Sequence, residues 1–158
     1  ACPKQGHVLQ ALMQKPVLLV AEDNDLDAML LERMLERCGS VFQMVRVPNG
    51  EEVIDYLQGS GEFADRAKYP PAALLLLDLK MPRMDGFGVL RWRRENPAFV
   101  RVPVIVFSSS NLAEDIALAY SLGANSYVAK PSDPLQLERL IVALGAWWAG
   151  FNITPAQS

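Results

Sequence analysis

The sequence predicts an α/β domain: a doubly wound sheet of five parallel strands, (βα)5, with helices on both faces. Three observations predict it. Five apolar runs of strand length alternate with five stretches of helical periodicity. The runs are largely continuous in their apolarity rather than alternating, as strands buried on both faces require. Each run ends on polar residues, and no internal repeat or low-complexity segment interrupts the series. Alternation of this kind implies parallel pairing through crossover helices.

Composition agrees and excludes several classes of function. A chain of 158 residues suits one domain. With 51% hydrophobic and 21% charged residues it is too apolar to be disordered. A net charge of −3 gives no support for binding nucleic acid or an anionic membrane. Cys2 and Cys38 cannot make a disulfide framework, which fits a reducing compartment. No apolar run approaches the roughly 18–20 residues that span a bilayer. Val8–Met13, broken by Gln10, is too short for a secretory signal. The expectation is a soluble, cytoplasmic protein with no nucleic-acid or membrane partner.

Each element has its own signal. Residues 1–15 form an unassigned leader: Pro3, Lys4 and Gly6 indicate loop, Val8–Met13 at most a helical turn, and His7 has no visible role. Val17–Ala21 is a strand that stops at Glu22-Asp23-Asn24-Asp25, where Asn24 or Asp25 can cap the next helix. That helix carries Leu26, Met29, Leu30, Met34 and Leu35 at helical spacing, with Cys38 read as inert core and Gly39 as the stop. Phe42–Val47 is a second strand, broken by Asn49-Gly50 before a helix over Glu51–Gln58 through Val53, Ile54 and Leu57. Between Gly59 and Pro71 lies a polar connection too long for a tight turn. Ala73–Leu77 is the most apolar strand and ends at Asp78.

Asp85 as a cap and Gly86 as a backbone requirement then open a helix to about Asn96-Pro97. Val102–Phe107 is the fourth strand, running into Ser108-Ser109-Ser110, of which Ser109 and Ser110 read as plain polar loop. Leu112–Leu122 is a helix closed by Gly123, and Ser126–Ala129 a strand that ends at Lys130-Pro131. The last helix, Asp133–Gly150, has a core stripe of Leu137, Leu140, Ile141, Leu144 and Trp148. Val142, Ala146, Trp147 and Phe151 fall off that stripe, as either a wide apolar face over the sheet or a patch for dimerisation or docking. Residues 16–150 are thus the domain and 151–158 a C-terminal tail.

The polar strand ends carry the chemistry. In an open parallel sheet, ligands bind outside the carboxyl ends of the strands, at the switch in strand order. Glu22 and Asp23, Asp78, Ser108 and Lys130 should therefore converge. Crowded carboxylates raise one another's proton affinity unless a cation intervenes. A hard divalent ion resolves the conflict, and Mg²⁺ takes only one or two carboxylates, completing its octahedron with other oxygens. Metal, ammonium and hydroxyl around one carboxylate make a site for a phosphoryl group.

Four motifs, Val17-Leu-Leu-Val-Ala-Glu-Asp-Asn24, Leu76-Leu-Asp-Leu-Lys-Met-Pro-Arg-Met-Asp-Gly86, Pro103-Val-Ile-Val-Phe-Ser108 and Gly123-Ala-Asn-Ser-Tyr-Val-Ala-Lys-Pro131, resemble the receiver domain of bacterial two-component response regulators. The resemblance runs from about Val17 to about Gly150 and implies the flavodoxin-like receiver fold. It implies that Asp78 is the phosphoacceptor, attacking the phosphorus of a kinase phosphohistidine. It further implies an acidic pocket of Glu22 and Asp23, with Asp23 a direct Mg²⁺ ligand, Glu22 acting through water, and the backbone carbonyl of Lys80 as a further ligand. Ser108 is the hydroxyl that moves to the phosphoryl group, Lys130 pairs with its charge, and Tyr127 is the aromatic that follows the movement. The Lys130–Pro131 bond is expected to be cis. Such a protein is a signalling phosphoacceptor and no enzyme beyond its own phosphorylation and dephosphorylation. The side chain of Lys80, two residues past Asp78, stands where it could hinder the hydrolytic water.

The terminal aromatics and the connection at 59–71 are similar to the single-domain regulators that accompany phytochrome-type histidine kinases. With eight residues after Gly150, no output domain is expected in this chain, so output is a change in binding or onward phosphoryl transfer. Other readings weigh less. A Mg²⁺-dependent aspartyl-phosphate hydrolase needs a second Asp where Lys80 stands. A flavin or nucleotide carrier needs a Gly- or Ser/Thr-rich loop where Glu22-Asp23-Asn24-Asp25 stands. An unphosphorylated scaffold would have no use for an intact acidic pocket.

Overall fold

The computed structural model of the chain describes residues 14–153. The readings made above for Cys2, Pro3, Lys4, Gly6, His7 and Val8–Met13 lie outside the described residues. In chain order the elements are β1 (Val17–Ala21), α1 (Asp25–Arg37), β2 (Gln43–Val47), α2 (Gly50–Gln58), β3 (Ala72–Leu77), α3 (Gly86–Glu95), β4 (Val104–Ser108), α4 (Ala113–Ser121), β5 (Ser126–Ala129) and α5 (Pro134–Gly150). Short 3-10 turns lie at Gly61–Phe63 and Pro97–Phe99.

The sheet is wholly parallel in the order β2-β1-β3-β4-β5. The period of two along a strand divides its side chains between two cores. Val17, Leu19 and Ala21 of β1, with Leu75 and Leu77 of β3, face α2, α3 and α4 through Val53, Tyr56, Val89, Leu90 and Ala119. Leu18, Val20, Leu74 and Leu76 face α1 and α5 through Leu31, Leu35 and Ile141. Burying each such side chain contributes roughly 1.5–3 kcal/mol, which is why the two central strands tolerate no polar residue until they leave the sheet. Strand order reverses between β1 and β3, so the chain leaves both strands beside the same crevice.

Caps fix where each helix begins. Asn24 Oδ1 accepts from Asp27 N at 3.0 Å, so Asn24 rather than Asp25 is the cap of α1. Asn49, Asp85 and Asp133 do the same for α2, α3 and α5. A cap of this type contributes about 1 kcal/mol.

The phase of α1 differs from the expectation. Leu35 is buried and Met34 packs against the core as expected, together with Ala28 and Leu31, whereas Leu26, Met29 and Leu30 are exposed. The leucines make two competing stripes, and the one containing Ala28 wins because its small side chain lets the helix lie close to the sheet. On α5 the expected stripe does pack on the core, while Val142, Trp147 and Phe151 are exposed. The long connection before β3 is packed rather than loose. Phe63 and Tyr69 stack against buried Tyr56, and the Arg66 guanidinium donates to the carbonyls of Leu57 and Tyr69.

Candidate functional site

Four polar residues meet at the carboxyl edge. Glu22 and Asp23 follow β1, Asp78 follows β3 and Lys130 follows β5. Backbone bonds extend the sheet just past its last pairs and set the height of each side chain. Glu22 N donates to Val47 O, Asp78 N to Ala21 O, and Lys130 N to Ser108 O. The next turn crosses Asp78 so closely that a Cβ on Gly86 would stand 2.3 Å from the Asp78 carbonyl oxygen. Gly86 therefore fixes the β3–α3 loop against the site, as the sequence suggested.

Glu22 and Asp78 are almost fully buried, at 4% and 6% exposure, and Asp23 is exposed. Lys130 Nζ donates to Asp78 Oδ2 at 2.9 Å and to Glu22 Oε2 through a short contact, and lies 3.5 Å from Asp27 Oδ2. The same ammonium stands 6.0 Å from the Phe107 ring centroid. Burial pushes the Glu22 carboxyl above its ordinary value, against the opposing hydrogen bonds from Lys130 and the Asn24 amide. Burial also works to lower the pKa of Lys130, but its bonds to Glu22 and Asp78 outweigh that, and the ammonium is held above its ordinary value. The site thus keeps a permanent cation among its acids.

One lysine does not neutralise this cluster. Carboxylate oxygens of Glu22, Asp23 and Asp78 all lie within 4.8 Å of one another. No ion pair engages the Asp23 carboxylate among the described residues. A hard oxygen-ligand set with excess negative charge, two members already desolvated, fits a divalent cation. Beside it opens a cleft of about 550 Å³ lined by Asp23, Lys80, Asp85, Phe87 and Asp115 among others. Lys80 is exposed at its rim, and its amide points at Asp78 Oδ1 over 3.4 Å.

Ser108 and Tyr127 sit one step away. Ser108 is 1% exposed, and its Oγ accepts from Ser110 N at 3.2 Å. Tyr127 is half-buried, and its hydroxyl donates to Ser110 O at 2.8 Å. Ser109 is exposed, but Ser110 is not the plain loop residue the sequence suggested, since it also bonds Asp115. The Lys130–Pro131 bond differs from expectation as well: no peptide bond of the described residues is cis. Trans is the isomer that an X–Pro bond favours by about 0.5–1 kcal/mol.

Sequence reading missed two residues that shape the pocket. Arg46, on edge strand β2, donates to the carbonyls of Glu22 and Asp23 at 2.9 and 3.1 Å and pairs with Asp25 at 2.7 Å, clamping the acidic turn. A charge between two valines on a strand was the available signal. Asp27 approaches Lys130 from the first turn of α1.

Comparisons with known proteins agree with this geometry. The description "response regulator receiver domain" matches residues 18–142. Response regulator RPA3017, from red light signaling of R. palustris, is 37% identical with a TM-score of 0.84, covering 90% of this chain and 99% of its own. The phosphorylated cyanobacterial phytochrome response regulator RcpA is 30% identical with a TM-score of 0.80, covering 90% and 100%. The Mn(2+)-bound form of response regulator Rcp1, a Synechocystis protein, is 28% identical with a TM-score of 0.77, covering 89% and 99%.

Proposed function

The chain belongs to the response regulator receiver domain family, and from that premise we propose that Asp78 accepts a phosphoryl group from the phosphohistidine of a sensor histidine kinase, with Mg²⁺ beside it. Receiver domains are signalling proteins that interact with histidine kinases and bind a divalent metal. The observation that carries the reading is the Lys130 ammonium bonded to buried Asp78 within a cluster of three carboxylates.

The transfer is a displacement at phosphorus. An Asp78 oxygen forms the acyl–phosphate bond while the phosphorus–nitrogen bond to imidazole breaks, and the bonding pair stays on the imidazole nitrogen. Lys130 follows the incoming charge, exchanging its contact with Asp78 for one with a phosphoryl oxygen while Glu22 retains it. Ser108 has its oxygen engaged by the Ser110 amide, so its own proton is available to a second phosphoryl oxygen. Mg²⁺, held by Asp23, Asp78 and the Lys80 carbonyl with Glu22 acting through water, would offset the negative charge of the carboxylates and the phosphoryl group. The Lys80 side chain at the cleft rim would slow the water that hydrolyses the acyl phosphate, the second of the two reactions, phosphorylation and dephosphorylation, that the protein performs on itself.

A phytochrome-type kinase is the partner favoured by the likeness to RPA3017 and RcpA. Its phosphohistidine helix would dock on the exposed Leu26, Met29 and Leu30 of α1, the helix whose first turn brings Asp27 to Lys130. The exposed Val142 and Trp147 of α5, with Phe151 just past its end, are the second apolar face and suit a second copy of the chain. The receiver unit would span residues 16–150, between a leader at 1–15 and a tail at 151–158. None of the helices described is long and apolar enough to cross a membrane; a cytoplasmic site, where histidine kinases phosphorylate their partners, follows from the reading.

The test is intact mass after incubation with phosphoramidate, with and without Mg²⁺, beside an Asp78→Asn control. One added phosphoryl group that requires both Mg²⁺ and Asp78 is expected. Equal labelling of the Asp78→Asn protein would overturn the assignment.

A further inference from the structure

We propose that Asp115 is a positioning residue, which holds Ser110 and through it sets the place from which Ser108 and Tyr127 move to meet a phosphoryl group. The inference rests on the proposed function and adds to it two residues that take no part in binding metal or phosphorus.

Ser110 is the node of the β4–α4 loop, and each of its polar groups is engaged. Its amide donates to Ser108 Oγ at 3.2 Å, and its carbonyl accepts from the Tyr127 hydroxyl at 2.8 Å. Its hydroxyl donates to Asp115 Oδ2 at 2.5 Å and accepts from Leu112 N over 3.4 Å. The bond to Asp115 is the one with a charged acceptor and the shortest of the four, so it is the strongest anchor of the loop. Asp115 is itself fixed, in the first turn of α4.

The consequence follows from the donors and acceptors of a hydroxyl. Ser108 carries one proton and two lone pairs. With the Ser110 amide on one lone pair, the hydroxyl keeps its proton for an oxygen in the pocket. If the loop were free, both the Ser108 rotor and the Tyr127 ring would have to be ordered when the phosphoryl group binds, and that ordering would weaken binding. By fixing Ser110, Asp115 reduces that penalty, because the Ser108 hydroxyl and the Tyr127 ring then move from one defined starting arrangement. Asp115 also stands at the cleft with Asp23 and Lys80, so loss of its charge and loss of its hydrogen bond must be told apart.

The experiment titrates beryllofluoride, an inert mimic of the phosphoryl group, into the full chain at saturating Mg²⁺ and follows binding by calorimetry. The variants are Asp115→Ala, Asp115→Asn, Ser110→Ala and the Ser110→Ala/Asp115→Ala pair. Asp115→Ala is expected to bind about 5- to 10-fold more weakly, in line with loss of one ordinary hydrogen bond. Asp115→Asn, which keeps an oxygen acceptor without the charge, should return to within about 2-fold of the wild type. Ser110→Ala should match Asp115→Ala, and the pair should be no weaker than either single variant, as residues acting through one bond require. Mg²⁺ affinity without fluoride should stay within about 2-fold throughout, and the Ser110 amide should exchange faster in Asp115→Ala. Unchanged affinity in Asp115→Ala overturns the proposal, as does an Asp115→Asn protein as weak as Asp115→Ala. Where Asp115→Ala does not fold, Ser110→Ala carries the test alone. A wild-type protein that binds no beryllofluoride overturns the site reading itself, and this inference with it.

Discussion

Two cations are buried at opposite ends of the sheet, and they are solvated in opposite ways. At the carboxyl edge, Lys130 is surrounded by Glu22, Asp78 and Asp27, all acids. At the other edge, Arg93 is 4% exposed and among the described residues meets no acid: its guanidinium donates to the carbonyls of Val100, Val102 and Gly123 and to Asn125 Oδ1, and its Nε has no partner there. Burial lowers the pKa of Arg93, while the partners of Lys130 raise that of the lysine despite burial. Arg93 joins the end of α3 to the starts of β4 and β5 through neutral oxygens, which have no other cation to accept. In the proposed function the acids around Lys130 take up a metal, and Lys130 donates to a phosphoryl oxygen in exchange for Asp78. A buried charge with exchangeable partners marks the working end, and one with fixed neutral partners marks the structural end.

The largest expected effect lies at Lys130. Lys130→Met should slow labelling by phosphoramidate about 100- to 1000-fold, the range for losing one charge-stabilising donor. Without metal the variant leaves Glu22 and Asp78 buried together and should unfold at lower urea. Added Mg²⁺ should restore that stability, because ligand binding to the folded state adds to it by mass action. Arg93→Met should cost about 3 kcal/mol, from carbonyls left unsatisfied, with no recovery in Mg²⁺ and normal labelling of the folded protein. If Mg²⁺ rescued both variants alike in urea titrations, the contrast between the two cations would be wrong.

How much of this was legible in sequence depends on what writes each feature. The strands and the residues that end them were readable because a run such as Ala73–Leu77 can be nothing but buried, and the acid that follows it must leave the sheet. Asp78, Glu22, Asp23 and Lys130 were thereby located together. The phase of α1 was not readable, since Leu26 and Leu30 compete with Leu31 and Leu35 and only the sheet decides between them. Asp27 and Asp115 act by bonds between elements or across a loop, and a chain read in one dimension gives such bonds no signature; Arg46 had only the weak sign of a charge between two valines. Ser110 shows the same limit: its type says loop, which is right, but not that its polar groups are bonded to four partners there.

The next effect is pH dependence on the structural side. Burial pushes the Tyr56 phenol up to about 12, and its hydroxyl donates to Pro70 O. The unfolded chain ionises this tyrosine near its ordinary value of 10.0 while the folded chain keeps the proton. The unfolded state therefore holds fewer protons, and stability falls as pH rises from 10 through 12, by up to about 3 kcal/mol. Tyr56→Phe should remove most of that alkaline loss in urea titrations at pH 8, 10 and 11.5. Lys130 also has a raised pKa and contributes with the same sign, its share being lost as pH rises past its unfolded value.

The smallest expected effect on stability separates contact from core on α1. Leu30 is 48% exposed and Leu31 4%. Leu30→Gln should change stability by no more than about 0.5 kcal/mol, as surface substitutions do, although neighbouring Leu31→Ala should cost about 2–4 kcal/mol. If the exposed leucines receive the kinase helix, Leu30→Gln should slow transfer from the phosphorylated kinase several-fold while leaving the rate with phosphoramidate unchanged. The small donor needs only the Lys130 pocket, whereas the protein donor needs the helix face beside it. Equal loss with both donors would move Leu30 from the docking face to the pocket. No loss with either would leave the face without its proposed partner and remove α1 from the working end of the molecule.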